Sequence, residues 1–190
     1  VFSGDIGRTN DLLLYPPVKP KRADVLFMES TYGGRFHPEE EEAIPLIEKL
    51  VNETISRGGS LFIPSFSVER AQLMMLIFWR LLKENKIPKV PMIMDSPMGA
   101  NVLDLFHRTR DWHRLEDDEC DKMCSHFTVV SSYHETMELR SDDKPKIVIA
   151  GSGMLTGGRM LNYLETQAQN PDNTLLFVGY QAEGTRGRKL

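Results

Sequence analysis

Short apolar runs recur along this chain of 190 residues, each separated from the next by a stretch with helical spacing, and that alternation constrains the fold more than any other feature. The runs cover residues 24–29, 60–64, 92–95, 127–130, 146–150 and 174–179. Each is continuous rather than alternating, which is how strands buried on both faces read. Strand, helix, strand in repetition predicts an α/β domain of Rossmann-like type, with a mostly parallel sheet flanked by helices. The clearest helix spans 68–86, where Ala71, Met74, Met75, Phe78, Leu81 and Leu82 share one face and Ser67 is the candidate N-cap. A second is expected over 39–56, stopping at Gly58-Gly59, with Pro45 either kinking it or marking its first turn. Further helices are expected over 100–110, 117–124, 134–140 and 158–169.

With 41% apolar and 26% charged residues the composition is that of an ordinary globular chain, which argues against disorder, collagen-like repeats or a disulfide scaffold. No apolar run reaches the ~20 residues of a membrane span, and no signal peptide is legible, so a cytoplasmic setting without membrane contact is expected. The net charge of −4 excludes a global pull on nucleic acid, so any RNA contact has to be local. Basic residues cluster at Lys19, Lys21 and Arg22 and at Arg186, Arg188 and Lys189, whereas the acidic run 39–42 reads as a helix start. Cys120 and Cys124 could form half a metal site, but no second Cys or His pair stands at a matching spacing, and the structural reading is preferred. His37, His107, His113, His126 and His134 show no ligand spacing and are taken as non-catalytic. The chain begins and ends abruptly, which suggests a piece of something larger, and the Pro- and Lys-rich stretch 15–22 is the candidate linker.

In open α/β sheets the functional residues collect at the carboxyl ends of the strands. Four polar clusters stand at such ends, at 29–33, 64–67, 95–99 and 151–159. The last runs a strand into a loop of Gly, Ser and Thr and then a helix, which offers free amides and a positive dipole end to a phosphate, with Arg159 as a possible bidentate partner. It lacks the Lys of a Walker loop, and a tight turn that needs glycine explains it equally well. Glu29 closes an apolar run, where a carboxylate either caps a nearby helix or works in a site. Asp5, between Gly4 and Ile6, is a turn former or a metal ligand, and local sequence favours the turn.

Taken together, Phe2-Ser3-Gly4-Asp5-Ile6-Gly7, Glu29-Ser30-Thr31-Tyr32-Gly33, Arg57-Gly58-Gly59, the stretch from Pro64 to Gln72, Asp95-Ser96-Pro97-Met98, Gly151-Ser152-Gly153-Met154 and the ending Gly179 to Thr185 resemble, in order, the β-CASP branch of the metallo-β-lactamase superfamily. The resemblance covers nearly the whole chain, and the Ser-Thr-Tyr-Gly after Glu29 is more similar to RNA-processing members than to DNA-repair ones. It implies residues 1–22 as the end of a metallo-β-lactamase domain with its linker, 23–182 as the β-CASP domain, and 183–190 as the start of the return. It also implies a ribonuclease with two zinc ions that cuts single-stranded RNA, Asp5 as a metal ligand and Glu29 as a catalytic acidic residue that supports the metal site. Ser65, Arg70, Ser152, Gly153, Met154, Thr156, Gly157 and Arg159 would hold substrate phosphates.

The superfamily's histidine ligands are absent from these residues, so the chain alone is expected neither to hold zinc well nor to cleave RNA. A DNA nuclease of the same branch and a non-catalytic RNA-binding scaffold remain rival readings. A generic nucleotide-binding Rossmann module is disfavoured, because no Gly-x-Gly-x-x-Gly follows the first apolar run.

Overall fold

A computed structural model describes residues 1–34 and 40–190. Five parallel strands, β1 (Leu61–Pro64), β2 (Met92–Asp95), β3 (Phe127–Val130), β4 (Ile147–Ala150) and β5 (Thr174–Leu175), lie in the order β3-β2-β4-β1-β5. The register sets Leu61 and Met92 on either side of Ile147, and Pro64 and Asp95 on either side of Ala150. The helices are α1 (Glu40–Ser56), α2 (Arg70–Lys83), α3 (Pro97–Arg108), α4 (Asp117–Ser125), α5 (Tyr133–Arg140), α6 (Met160–Gln167) and the short α7 (Arg186–Lys189). The α/β architecture with a parallel sheet is therefore the one the apolar runs predict.

Successive strand residues point to opposite faces, and here both faces are covered. Leu61, Ile63, Met92, Met94, Ile147 and Ile149 join a core with α1 to α4, whereas Phe62, Ile93, Val148 and Ala150 pack against Leu155, Met160 and Tyr163 of the other layer. This double burial is why the central runs are apolar without interruption. The edge strand β3 departs from it, with Thr128 and Val129 exposed.

The run 24–29 is not a strand of this sheet. Residues 1–3 pair with it instead: Ser3 N–H donates to Phe27 O and Phe27 N–H to Val1 O, both at 2.9 Å, and the Phe2 and Phe27 rings stack at 4.8 Å. Val25, Leu26, Phe27 and Met28 are 51–64% exposed, so the expectation of burial on both faces fails. An apolar run reports that a segment has something to bury, not which surface will cover it.

Smaller corrections have local causes. α2 starts at Arg70 rather than 68, because Glu69 takes the cap position with φ 64° and Ser67 turns its hydroxyl to Ser96 Oγ, 3.0 Å away. Ser67 therefore does not cap α2. α3 starts three residues earlier than expected, at Pro97, because Ser96 accepts from Gly99 N–H and proline is favoured in a first turn. β5 ends at Leu175, although Leu176 N–H still donates to Phe62 O. Pro45 lies inside α1, beyond its first turn. His37 and the start of the acidic run at Glu39 lie outside the described residues, whereas 15–22 is exposed throughout.

Residues 11–14 nonetheless anchor the amino-terminal segment. Leu13 is fully buried, the Asp11 carboxylate accepts from Leu13 and Leu14 N–H at 2.7 Å, and Arg114 N–H donates to Leu13 O. No helix among the described residues is long and apolar enough to cross a membrane.

Candidate nucleic-acid interface

The helix after β1 covers one face of the sheet, and the helix after the neighbouring β4 covers the other. The loops that leave the two strands consequently diverge, and that topological switch is where an open α/β sheet leaves a crevice at its carboxyl edge. Ser65, Phe66, Ser67, Ser96 and Gly151 line a shallow, closely packed depression there.

Its far wall is the loop 151–158, folded around Ser152. The Ser152 hydroxyl accepts from Thr156 N–H at 3.1 Å and donates to Gly157 O at 3.2 Å. Gly158 has φ +77°, and a Cβ there would stand 2.5 Å from the Gly151 carbonyl, so glycine is required for both conformation and space. Gly153 lies against the Phe66 ring, where a Cβ would come within 2.9 Å. Among the hydrogen bonds described, the N–H groups of Gly153, Met154 and Gly157 donate to no other group of the chain, whereas those of Ser152, Leu155 and Thr156 hold the loop together. Thr156 is exposed and Met154 half-buried. Inward amides shape the loop, and unspent ones are what an anion would bind.

Arg159 is placed differently from the phosphate contact the sequence suggested. Its guanidinium donates to Asp95 Oδ1 at 2.9 Å, Thr136 Oγ1 at 2.5 Å, Ser132 O at 2.6 Å and Ser131 O at 2.7 Å. Asp95 is fully buried and also accepts from the Tyr163 hydroxyl at 2.7 Å. Burial first, and then that hydrogen bond, push the Tyr163 phenol well above its ordinary pKa. Arg159 thus braces the ends of β2 and β3 against α6, as the partner of a carboxylate that could not be buried alone. Nothing in the sequence marks Tyr163 for this network, since its helical spacing reads simply as core.

On the near wall, Ser65 is buried and its hydroxyl donates to Phe66 O at 3.0 Å, and α2 begins five residues further on, at Arg70. Arg70 opens α2 with its side chain 35% exposed and lies 3.9 Å from the Glu69 carboxylate. Burial raises the Glu69 pKa, with Arg70 opposing. Glu69 and Leu155, on the two walls, both hold left-handed backbone, a conformation costing ~1–3 kcal/mol that often accompanies a working site.

Glu29 grips the turn that carries Asp5. One of its oxygens accepts from Ile6 N–H at 3.0 Å and the other from Thr31 N–H at 3.2 Å, while Ser3 Oγ accepts from Glu29 N–H. The Thr31 side chain foremost, then the Ile6 and Thr31 amides, hold its carboxyl below the usual value. A chain of contacts joins this motif to the glycine loop: Tyr32 packs edge-on against Tyr180 at 5.5 Å, and the next residue, Gln181, donates to Gly153 O at 2.9 Å. Two sequence clusters more than a hundred residues apart, around Glu29 and Gly153, are thereby tied together, with Tyr180 and Gln181 as site residues that the spacing alone does not single out.

Residues 71–190 match the Beta-Casp domain family. The chain belongs to that family. Over its whole length it is 34% identical to a protein named Ribonuclease TTHA0252 of Thermus thermophilus, of which it covers 45%. It is 35% and 32% identical to proteins named Transcription termination factor FttA of Methanocaldococcus jannaschii and Methanosarcina mazei, of each of which it covers 31%. It spans less than half the length of these relatives.

Zinc at Asp5 fits poorly on these residues alone. Asp5 is one exposed carboxylate, whereas a catalytic zinc takes about three protein ligands. Among the described residues, the grouping with metal-ligand geometry is elsewhere, at His107, Cys120 and Cys124.

Proposed function

We propose that this chain is the substrate-clamping β-CASP domain of a zinc-dependent ribonuclease, holding single-stranded RNA across the crevice between the Arg70 wall and the glycine loop. The observation that carries the reading is the position of that loop: it stands at the switch point of the sheet, offers unspent amides, and is tied through Gln181 and Tyr180 to the motif that grips Asp5. Phosphates would lie against the amides of Met154 and Gly157 and the guanidinium of Arg70, with Ser65, Ser152, Gly153 and Thr156 shaping the walls. Arg159 would serve by bracing the loop rather than by touching phosphate.

The chemistry assigned to these residues is binding and orientation. In a two-zinc nuclease the metals supply the activated water, and Asp5 would be one ligand among several, oriented by Glu29. The amino-terminal segment would belong with a metallo-β-lactamase-type domain, whose natural seat is the apolar surface of Val25, Leu26, Phe27 and Met28, since exposed apolar patches of this kind mark interfaces. A cytoplasmic setting is part of the reading.

A second reading is that RNA is held without being cut; two relatives carry the name of transcription termination factor rather than ribonuclease. Cleavage of a labelled single-stranded RNA by a full-length protein carrying this domain, with zinc present or stripped and with Asp5 intact or changed to Ala, separates the two. Cutting that needs both zinc and Asp5 supports the nuclease; binding without cutting under every condition supports the holder. Preference for a matched DNA strand would overturn the choice of substrate.

A further inference from the structure

We propose that His107, Cys120 and Cys124 form a second metal site, separate from the crevice, that takes a thiolate-seeking cation of the zinc class and clamps α4 onto α3. Cys120 and Cys124 are four residues apart on α4, so both thiols project from one helix face. His107 comes from the last turn of α3 and meets them there, so the partner absent from the local spacing is supplied by tertiary packing. One ligand atom from each lies within 4.8 Å of the other two, and His107 Nδ1 stands 3.8 Å from Cys120 Sγ. With metal–sulfur bonds of ~2.3 Å and metal–nitrogen bonds of ~2.0 Å, a tetrahedral ion holds its ligand atoms roughly 3.5–3.8 Å apart. The His107–Cys120 pair therefore stands near that spacing before any ion enters, with the Cys124 thiol within 4.8 Å of both.

Asp121 stands beside the set, with Oδ1 3.2 Å from His107 Nδ1 and its side chain 62% exposed, and adds negative charge on the solvent side. Cys120 is 1% exposed and Cys124 half-buried, while His107 reaches solvent, which gives a dry interior with an entry side.

The site is remote from the glycine loop. α3 leaves the carboxyl edge of the sheet at Ser96 and carries His107 roughly 16 Å along its axis towards the opposite edge, where α4 leads into β3. Its role would be structural: α4 is a nine-residue, largely polar helix whose buried anchors are few.

The test uses the reduced, metal-stripped 190-residue chain titrated with Co²⁺ and then Zn²⁺, with absorption spectroscopy and thermal unfolding as readouts. The expected result is one equivalent of cobalt with a thiolate-to-cobalt charge-transfer band and tetrahedral d–d bands, displaced by zinc, together with a rise in Tm. Cys124→Ser and His107→Asn should each weaken binding at least about 10-fold, and Asp121→Asn by a smaller factor. Asp5→Ala should keep the thiolate band. Absence of that band in the folded, reduced chain overturns the proposal, as does a band of unchanged affinity in Cys124→Ser. If Cys124→Ser loses its circular dichroism, His107→Asn decides, because that side chain is partly exposed.

Discussion

At the residue scale, Glu29 and Asp95 show how one functional group takes different roles from different surroundings. Glu29 is near solvent and spends both oxygens on the turns around Asp5 and Thr31, so its contribution is positional. Glu29→Gln should leave the circular dichroism unchanged, because one amide oxygen remains to hold one turn. Turnover of the full-length protein should fall about 10–100-fold, as expected when a metal ligand loses its orienting partner. Activity near normal would remove Glu29 from the mechanism. Its folded pKa lies below the ordinary 4.5, so its grip on the turns is present above that value and is lost as pH falls through the lowered folded value. The Ile6 amide resonance followed from neutral to acid should move in that window and not above it. Asp95 is fully buried and depends on Arg159 and Tyr163. Arg159→Ala leaves that carboxylate with the Tyr163 hydroxyl alone, which should cost about 3 kcal/mol and lower Tm by roughly 6–12 °C. Loss of RNA affinity with Tm unchanged would mean that Arg159 faces substrate instead. For Tyr163 the sign is opposite to that for Glu29. Its folded pKa is raised, so the stability it confers is whole below the ordinary 10.0 and is lost as pH rises from there towards the folded value.

At the element scale, the loop between β4 and α6 is the part most dependent on exact residue type. Gly158→Ala would place a methyl against the Gly151 carbonyl at a left-handed position. The loop must shift, at about 1–3 kcal/mol, and the unspent amides lose their alignment. RNA affinity should therefore fall more than Tm suggests, as read by fluorescence anisotropy beside a thermal melt; affinity unchanged in the folded variant would move the phosphate site elsewhere. Ser96 illustrates what local signals can and cannot foretell. The Ser-Pro pair at 96–97 starts the helix that the sequence reading placed three residues later, and Ser96 also receives Ser67 from the end of a different strand, a link no spacing rule supplies. Ser96→Ala should cost about 1 kcal/mol through the lost cap, checked by denaturant unfolding. The run 24–29 marks the converse limit: its composition is that of a buried strand, but its neighbours in this chain are only residues 1–3.

At the scale of the whole molecule, an acidic chain that binds RNA must do so through few contacts. The salt dependence of binding should accordingly be shallow, about −0.7 in log affinity per log salt for each phosphate neutralised, and Arg70→Ala should remove about one such step. A steep slope untouched by Arg70→Ala would place the RNA on the basic stretches at 19–22 or 186–189 instead. By itself the sequence determined the α/β class, the central strands and the presence of a glycine-rich loop after β4, because continuous apolar runs, helical periodicity and glycine chemistry are local properties, each written within a few residues. It also carried the family, through the order of its motifs. Only the tertiary structure decided that Arg159 faces inward to Asp95, that Gln181 reaches Gly153, that 24–29 stands outside the sheet, and that His107 meets Cys120 and Cys124. Each of these depends on how separate elements pack, and the partner chosen depends on which surfaces are already covered when they meet. That is a property of the packed molecule, not of any segment in it.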